Sequence, residues 1–313
     1  MSRDRAIYLA ALLGATLLMA TSYIAGKVLL ATGIPPFLLI GWRFVLATLS
    51  ALPLVRLDGP GFLTRLVPPG FGARRWAVLA LIGIIQTAML IAFLFFGLRT
   101  ISPSTTAILI YTNPIWVALL GRLILGERLT VPRIGGLVCG VLGVAYALGF
   151  DHLADEPLGG KLLALAGAAC FAVATVTTKR AALPIGVWAF NFWQMAAGTL
   201  VLLVLAVVQG GAWPQFDLGD WGWFVWLAIP GSTGATGLWF EALRRGGATR
   251  TSGYLFLAPL FTVLMAAALL GTRLSWPQGV GGVLIGLGLW LVNRPARPQT
   301  PPSPVIATTA SQR

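Results

Sequence analysis

Histidine, cysteine and acid are all scarce in this chain. One histidine, two cysteines and nine acidic residues are spread over 313 positions, too few for a His/Cys metal centre or a disulfide framework. Cys139 and Cys170 lie inside apolar runs without ligand spacing and read as small packing residues, and the lone His152 reads as a solvated loop residue. No Gly-x-Ser-x-Gly elbow, His-Glu-x-x-His helix or intramembrane Asp pair occurs, so an intramembrane enzyme lacks its chemistry and no metal or other cofactor is expected. Charge of either sign is short as well, at 10% of residues against 57% hydrophobic. That balance excludes a water-soluble globule, and the missing period-two alternation excludes a membrane barrel.

What the sequence has is apolar runs of about 20 residues, the length that crosses a hydrocarbon core of roughly 30 Å. Read with their Pro, Gly and Arg breakers, they predict helices near 7–30, 36–55, 76–98, 103–124 and 132–150. Five more follow near 159–179, 185–208, 221–243, 251–270 and 277–293. Ser102-Pro103, Pro132 and Pro277 supply helix starts. The tail from Arg294, rich in Pro, Thr and Ser, has no periodicity and is expected to be disordered. The net charge of +13 would suit nucleic acid in a soluble protein, but its distribution follows membrane topology. With the N-terminus inside, seventeen of the twenty-two Lys and Arg residues fall on one side, which predicts cytoplasmic termini and no nucleic-acid partner. Trp76, Trp221, Trp223 and Trp276 read as interfacial belt residues.

Sliding the sequence by 145 positions aligns Trp76 to Gly143 with Trp221 to Gly288 without a gap, matching Trp76/Trp221, Arg99/Arg244, Pro114/Pro259, Pro132/Pro277 and Gly143/Gly288. At nearby offsets Lys27 matches Lys179, and Arg43-Phe44 matches Gln194-Met195. The chain therefore reads as a duplication: 1–150 is one five-helix repeat, 151–293 the second and 294–313 a cytoplasmic tail. Five is odd, so the halves enter the membrane from opposite sides. The expected fold class is an all-α integral membrane protein with ten transmembrane helices in two inverted five-helix repeats, the usual construction of alternating-access transporters.

Several stretches carry a family resemblance. Met19-Ala20-Thr21-Ser22-Tyr23-Ile24-Ala25-Gly26-Lys27, Arg43-Phe44 with Ala47, Asn113-Pro114, and Leu125-Gly126-Glu127-Arg128-Leu129-Thr130 together resemble the EamA branch of the drug/metabolite transporter superfamily. The second copy keeps Ala258-Pro259 and Leu270-Gly271 but has Thr272 where the family usually has Glu, and Met19-Ala20 replaces the common Trp-Gly. The resemblance implies a central cavity lined by helices 1, 3, 4, 6, 8 and 9, and export of amino acids or related metabolites across the cell inner membrane.

The candidate substrate-binding residues are Ser22, Tyr23, Gln86, Tyr111, Asn113, Ser232, Thr233, Trp239 and Tyr254, with Thr21 and Thr175 as further wall candidates. Neutral polar and aromatic groups suit an amphipathic or zwitterionic small molecule. Each also has a plain packing role as its alternative. Pro230 to Gly237, with glycines at every third position, predicts a bend in the eighth helix; a phosphate-cradling loop is disfavoured because no strand precedes it and no Lys follows. Arg43 either recognises a substrate carboxylate or is capped by backbone carbonyls to hold the bundle. Glu241 either couples protons, making the chain a drug/metabolite antiporter, or pairs with Arg244 or Arg245. A channel is the remaining alternative. Gly136 to Gly140 and Gly282 to Gly286 have the spacing of close helix contacts, within the scaffold or with a second copy in a homodimer.

Overall fold

The computed structural model describes residues 3–149, 153–270 and 275–294, without the side chains of 266–270. His152, Gly271, Thr272, Arg273 and the tail beyond Arg294 lie outside the described residues. The described residues are all helical, with no strand among them. In chain order we label α1 (Arg3–Leu30), α2 (Pro36–Leu54, extended by a 3-10 turn Val55–Asp58), α3 (Ala73–Gly97), α4 (Pro103–Leu125), α5 (Val131–Leu148), α6 (Leu158–Ala181) and α7 (Val187–Gln209). α8 is Leu218–Ala228, a π segment Ile229–Gly234, and Ala235–Arg245. α9 is Ala248–Gly253, a 3-10 turn Tyr254–Phe256, and Leu257–Leu270; α10 is Trp276–Val292. Among the described residues, seven helices, α1 to α7 with the extension of α2, are long and apolar enough to cross a membrane, and α10 is a shorter apolar helix.

Helix boundaries follow local chemistry. Ser102 accepts a hydrogen bond from the Thr105 N–H, with Pro103 behind it, to start α4. Asp217 with Asp220, and Ser275 with Gln278, form capping boxes at α8 and α10. α4 is broken at Tyr111 and Thr112, between Pro103–Ile110 and Asn113–Leu125. Trp221, Trp223 and Trp276 are exposed, as belt residues are, whereas Trp76 packs edge-on against Phe71 and Trp193.

Packing is reciprocal between corresponding helices. α1 packs on α8 and α9, as α6 packs on α3 and α4. α2 packs on α7, where Thr48 and Thr199, which occupy matching positions of the aligned Arg43 and Gln194 segments, hydrogen-bond to each other at 3.2 Å. α5 packs on α10 through small residues. A methyl group added at Gly136 would lie 2.6 Å from the Gly288 carbonyl oxygen, and one at Gly281 2.5 Å from that of Gly143. Absent side chains let these backbones approach at Gly136, Gly143, Gly281 and Gly288, whereas of the pair expected on α10 Gly282 meets only Leu260 and Gly286 meets nothing within 4 Å.

Gly136→Ala and Gly288→Ala force apart two backbones. Each is expected to lower the unfolding midpoint in detergent, at a cost of about 1–3 kcal/mol. Gly286→Ala, whose added methyl meets nothing within 4 Å, leaves the midpoint unchanged or slightly higher; equal losses at all three positions would contradict the packing account.

Candidate functional site

The interior is built around two irregular stretches of helix. α3 runs as a π-helix over Ile84–Met89 and α8 over Ile229–Gly234, positions separated by the 145-residue offset of the sequence match. Pro230 lacks an N–H, so a local π turn in α8 has a covalent cause. α3 has no proline there. The bend expected of α8 is thus accommodated by a π segment and is matched in α3, which the sequence did not mark.

A polar network joins the two stretches. The Arg43 Nε donates to Ser232 Oγ at 2.7 Å, and Thr87 Oγ1 donates to Gln194 Oε1 at 3.0 Å. These are corresponding contacts, since Arg43 aligns with Gln194 and Thr87 with Ser232. Asn191 on α7 links them. Its Oδ1 accepts from Gln194 Nε2 and Thr236 Oγ1, and its Nδ2 donates to the Thr233 carbonyl. Thr233 Oγ1 donates to the Ala47 carbonyl and lies 2.7 Å from Ser50 Oγ, which fastens α8 to α2. Asn191 and Gln194 are fully buried. The sequence signal for them was present: two amides three residues apart on a long apolar helix, where an uncharged polar side chain needs an interior partner.

Beside this network lies an accessible surface. Tyr23 on α1 is half exposed, at 49%. Its hydroxyl accepts from the Tyr111 hydroxyl at 3.3 Å, and Tyr111 sits at the break in α4. Arg43 is close enough to Tyr23 to interact electrostatically and is itself only partly buried. One turn beyond Tyr23, Lys27 is exposed.

The predicted residues are not all brought together. Tyr23 and Tyr111 meet directly, and Ser232 and Thr233 belong to the adjoining network. Ser22 bonds its own helix at the Met19 carbonyl and faces Gly231, where an added methyl would lie 2.9 Å from its Cβ; it marks the α1–α8 crossing. Gln86 is partly buried within the α3 π segment. Asn113 and Trp239 are buried, and so is Thr175; among the described residues Asn113 Oδ1, Thr175 Oγ1 and Trp239 Nε1 have no hydrogen-bond partner. Tyr254 is elsewhere, bonded to Asn293 and edge-on to Tyr8. Glu241 forms an ion pair with Arg245 at 2.6 Å. Thr21 accepts from the Trp226 indole N–H.

The face of the bundle that carries the start of α1 is latched. Lys179 Nζ donates to the Leu243 and Arg244 carbonyls at the end of α8. Glu127 accepts from the Ala248 and Thr249 N–H groups at the start of α9, and Asp58 from Trp188 and Ala189 at the start of α7. Each charge sits where the helix dipole favours it. Sequence reading left all three unassigned to these roles. Two clefts, of about 690 and 290 Å³, lie at this same face; Glu241 and Arg245 line the first, Lys179 and Phe240 the second, and neither includes Tyr23 or Arg43.

Comparison with known proteins places this geometry. The model of the EamA-like transporter family matches residues 6–149 and again 158–294, and the chain belongs to that family. It is 26% identical to a WAT1-related chloroplastic protein of Arabidopsis thaliana over 88% of this chain and 66% of that protein. An uncharacterized transporter of Archaeoglobus fulgidus is 27% identical, covering 88% of this chain and 93% of its own. The uncharacterized inner membrane transporter YedA of Escherichia coli is 27% identical over 89% of each. A crystal structure with 23% identity shares the fold, with a TM-score of 0.78 over 93% of this chain and 97% of the other.

Asn191→Leu keeps the volume but strips partners from Gln194 and Thr236. Unpaired buried polar groups cost about 1–3 kcal/mol each, so its unfolding midpoint in detergent is expected to drop clearly below that of the exposed Thr64→Ala. A midpoint equal to wild type would remove the network from the account.

Proposed function

We propose that this EamA-family membrane protein is a secondary transporter that exports a small metabolite by alternating access, its ten helices forming two inverted five-helix repeats, 1–150 and 151–293. The substrate class is amino acids or related amphipathic compounds, the membrane is the cell inner membrane, and both termini are cytoplasmic. The observation that carries this reading is the half-exposed Tyr23, which meets Tyr111 and neighbours Arg43, together with the charged helix-end contacts of Lys179, Glu127 and Asp58 gathered at one face. Inverted repeats that share one central site can expose it to either side by exchanging corresponding contacts.

The latches supply such an exchange. Lys179 holds the Leu243 and Arg244 carbonyls; the corresponding residues of the first half are Lys27, Leu98 and Arg99, and Lys27 is exposed. In the opposite state Lys27 closes the outer face by capping α3, while Lys179 lets go of α8. The buried and unpartnered Thr175, Asn113 and Trp239 then line the opened inner half of the pathway, which gives their polar atoms a use. Glu241 is engaged by Arg245, which supports a structural role for it and facilitated export over proton coupling.

Proteoliposomes loaded with mixed neutral and aromatic amino acids and nucleosides test the function. Efflux of an amino acid with or without a pH gradient is expected, falling at least tenfold in Tyr111→Ala. Efflux that requires the gradient would restore the proton-coupled antiporter, and no efflux of any compound would contradict the reading. Lys179→Met tests the latch. In a chain with Cys139 and Cys170 replaced and Thr175→Cys added, it is expected to raise labelling by an impermeant thiol reagent from the N-terminal face severalfold; unchanged labelling would contradict the exchange.

A further inference from the structure

We propose that Arg43 is the anion-recognising residue of the cavity and that the transported compound carries a carboxylate, which the two free Nη groups of Arg43 grip while Tyr23 and Tyr111 face the rest of the molecule. The inference rests on the transporter reading and narrows its substrate class.

Three observations converge on Arg43. Its charge has no internal counterion among the described residues. Asp4 and Glu241 serve Arg245, Asp58 and Glu127 cap helix starts, Glu156 accepts from the Ser102 N–H, Asp155 is exposed in the turn before α6, and Asp217 and Asp220 cap α8. All of these lie at or near the ends of helices, and Arg43 is eight residues into α2. A guanidinium at membrane depth is costly, and such residues persist mainly where they contact a substrate or an ion. Among the described residues no backbone carbonyl caps it and its one hydrogen bond goes to the Ser232 hydroxyl, while its guanidinium lies 5.1 Å from the Phe44 ring centre.

The second observation is the comparison that the fold itself supplies. Gln194 occupies the corresponding position in the second half and ties to Thr87 as Arg43 ties to Ser232. An uncharged amide therefore performs the fastening role, and the positive charge of Arg43 is surplus to it. Third, the surplus is aimed. Ser232 Oγ donates to the Leu227 carbonyl while accepting from Arg43 Nε, so it fixes Nε and leaves the Nη pair to present parallel N–H donors, the arrangement that matches a carboxylate. Arg43 is only partly buried and neighbours Tyr23, which is half exposed and meets Tyr111. A single guanidinium flanked by phenols and hydroxyls fits one carboxylate on an otherwise neutral or zwitterionic body.

Ligand-dependent thermal protection of the full chain in detergent provides the test, using phenylalanine, 3-phenylpropionate, phenylalaninamide, acetate and inorganic phosphate as probes. Wild type is expected to be protected by the two aromatic carboxylates, weakly by acetate, and not by the amide or phosphate. Arg43→Gln reproduces the Gln194 arrangement, so its unliganded midpoint stays near wild type while its apparent Kd for the aromatic carboxylates rises about 10- to 100-fold, the loss of charge-assisted hydrogen bonds. Arg43→Lys keeps the charge without the fork and falls between. If Arg43→Gln does not fold, the Lys variant and the carboxylate-to-amide ratio in wild type decide. Protection by the amide equal to that by the acid, or by phosphate equal to carboxylate, would overturn the assignment, as would an Arg43→Gln variant with wild-type affinity. If no probe protects the wild type but amino-acid efflux occurs, the carboxylate assignment fails and the transporter reading stands; if neither occurs, both fail.

Discussion

Polar groups inside a lipid-embedded bundle have no water to fall back on, and the interior of this protein is organised by that constraint. Each unsatisfied backbone or side-chain group at depth costs free energy that no neighbouring lipid repays. Wherever the backbone departs from α-geometry, polar side chains have gathered to serve it. The α8 π segment is fastened by Arg43, Ser50 and Asn191, and the α3 segment by Gln194. Irregular backbone at such depth is tolerated where it lines a cavity or is held by protein. Here it is held by protein. The close glycine contacts of α5 with α10 serve the same end by another route, since the helices gain van der Waals contact where no hydrophobic force separates helix from lipid.

The two ends of the bundle are unequal, and the inequality gives the structure a direction. Lys179, Glu127 and Asp58 lock three helix ends at the face that carries the start of α1, while Lys27, in the position corresponding to Lys179, is free. Under the proposed alternating access, contacts made in one half and unmade in the other are those of one of its two states. Among the described residues, Asn113, Thr175 and Trp239 each bury a polar atom without a hydrogen-bond partner, a cost that the proposed second state would relieve.

Much of the architecture was readable from sequence because membrane helices announce themselves by length and hydropathy. The run predicted at 36–55 is helical over Pro36–Leu54, and that at 103–124 over Pro103–Leu125. The site was legible only in pieces. Tyr23, Tyr111 and Ser232 could be picked out as polar or aromatic residues at depth, but spacing along a helix does not say which residue of another helix it will meet. Tyr254, of the same chemical type as Tyr111, lies instead with Tyr8 and Asn293. Arg43 looked like a residue of a helix remote from the cavity; its long side chain carries its charge across to α8. Glu127 was visible as part of a motif, and its service to the α9 backbone became clear only when that helix start was seen beside it.

Alternating exchange between the two faces is the central claim, and distances across them in a lipid bilayer test it most directly. Paired spin labels at positions 180 and 245 span the latched face, and the corresponding positions 28 and 100 span the other. The account predicts a short and a long distance for each pair, with populations that are complementary, the short fraction of one matching the long fraction of the other. A single fixed distance for both pairs, or two faces that open together, would contradict it.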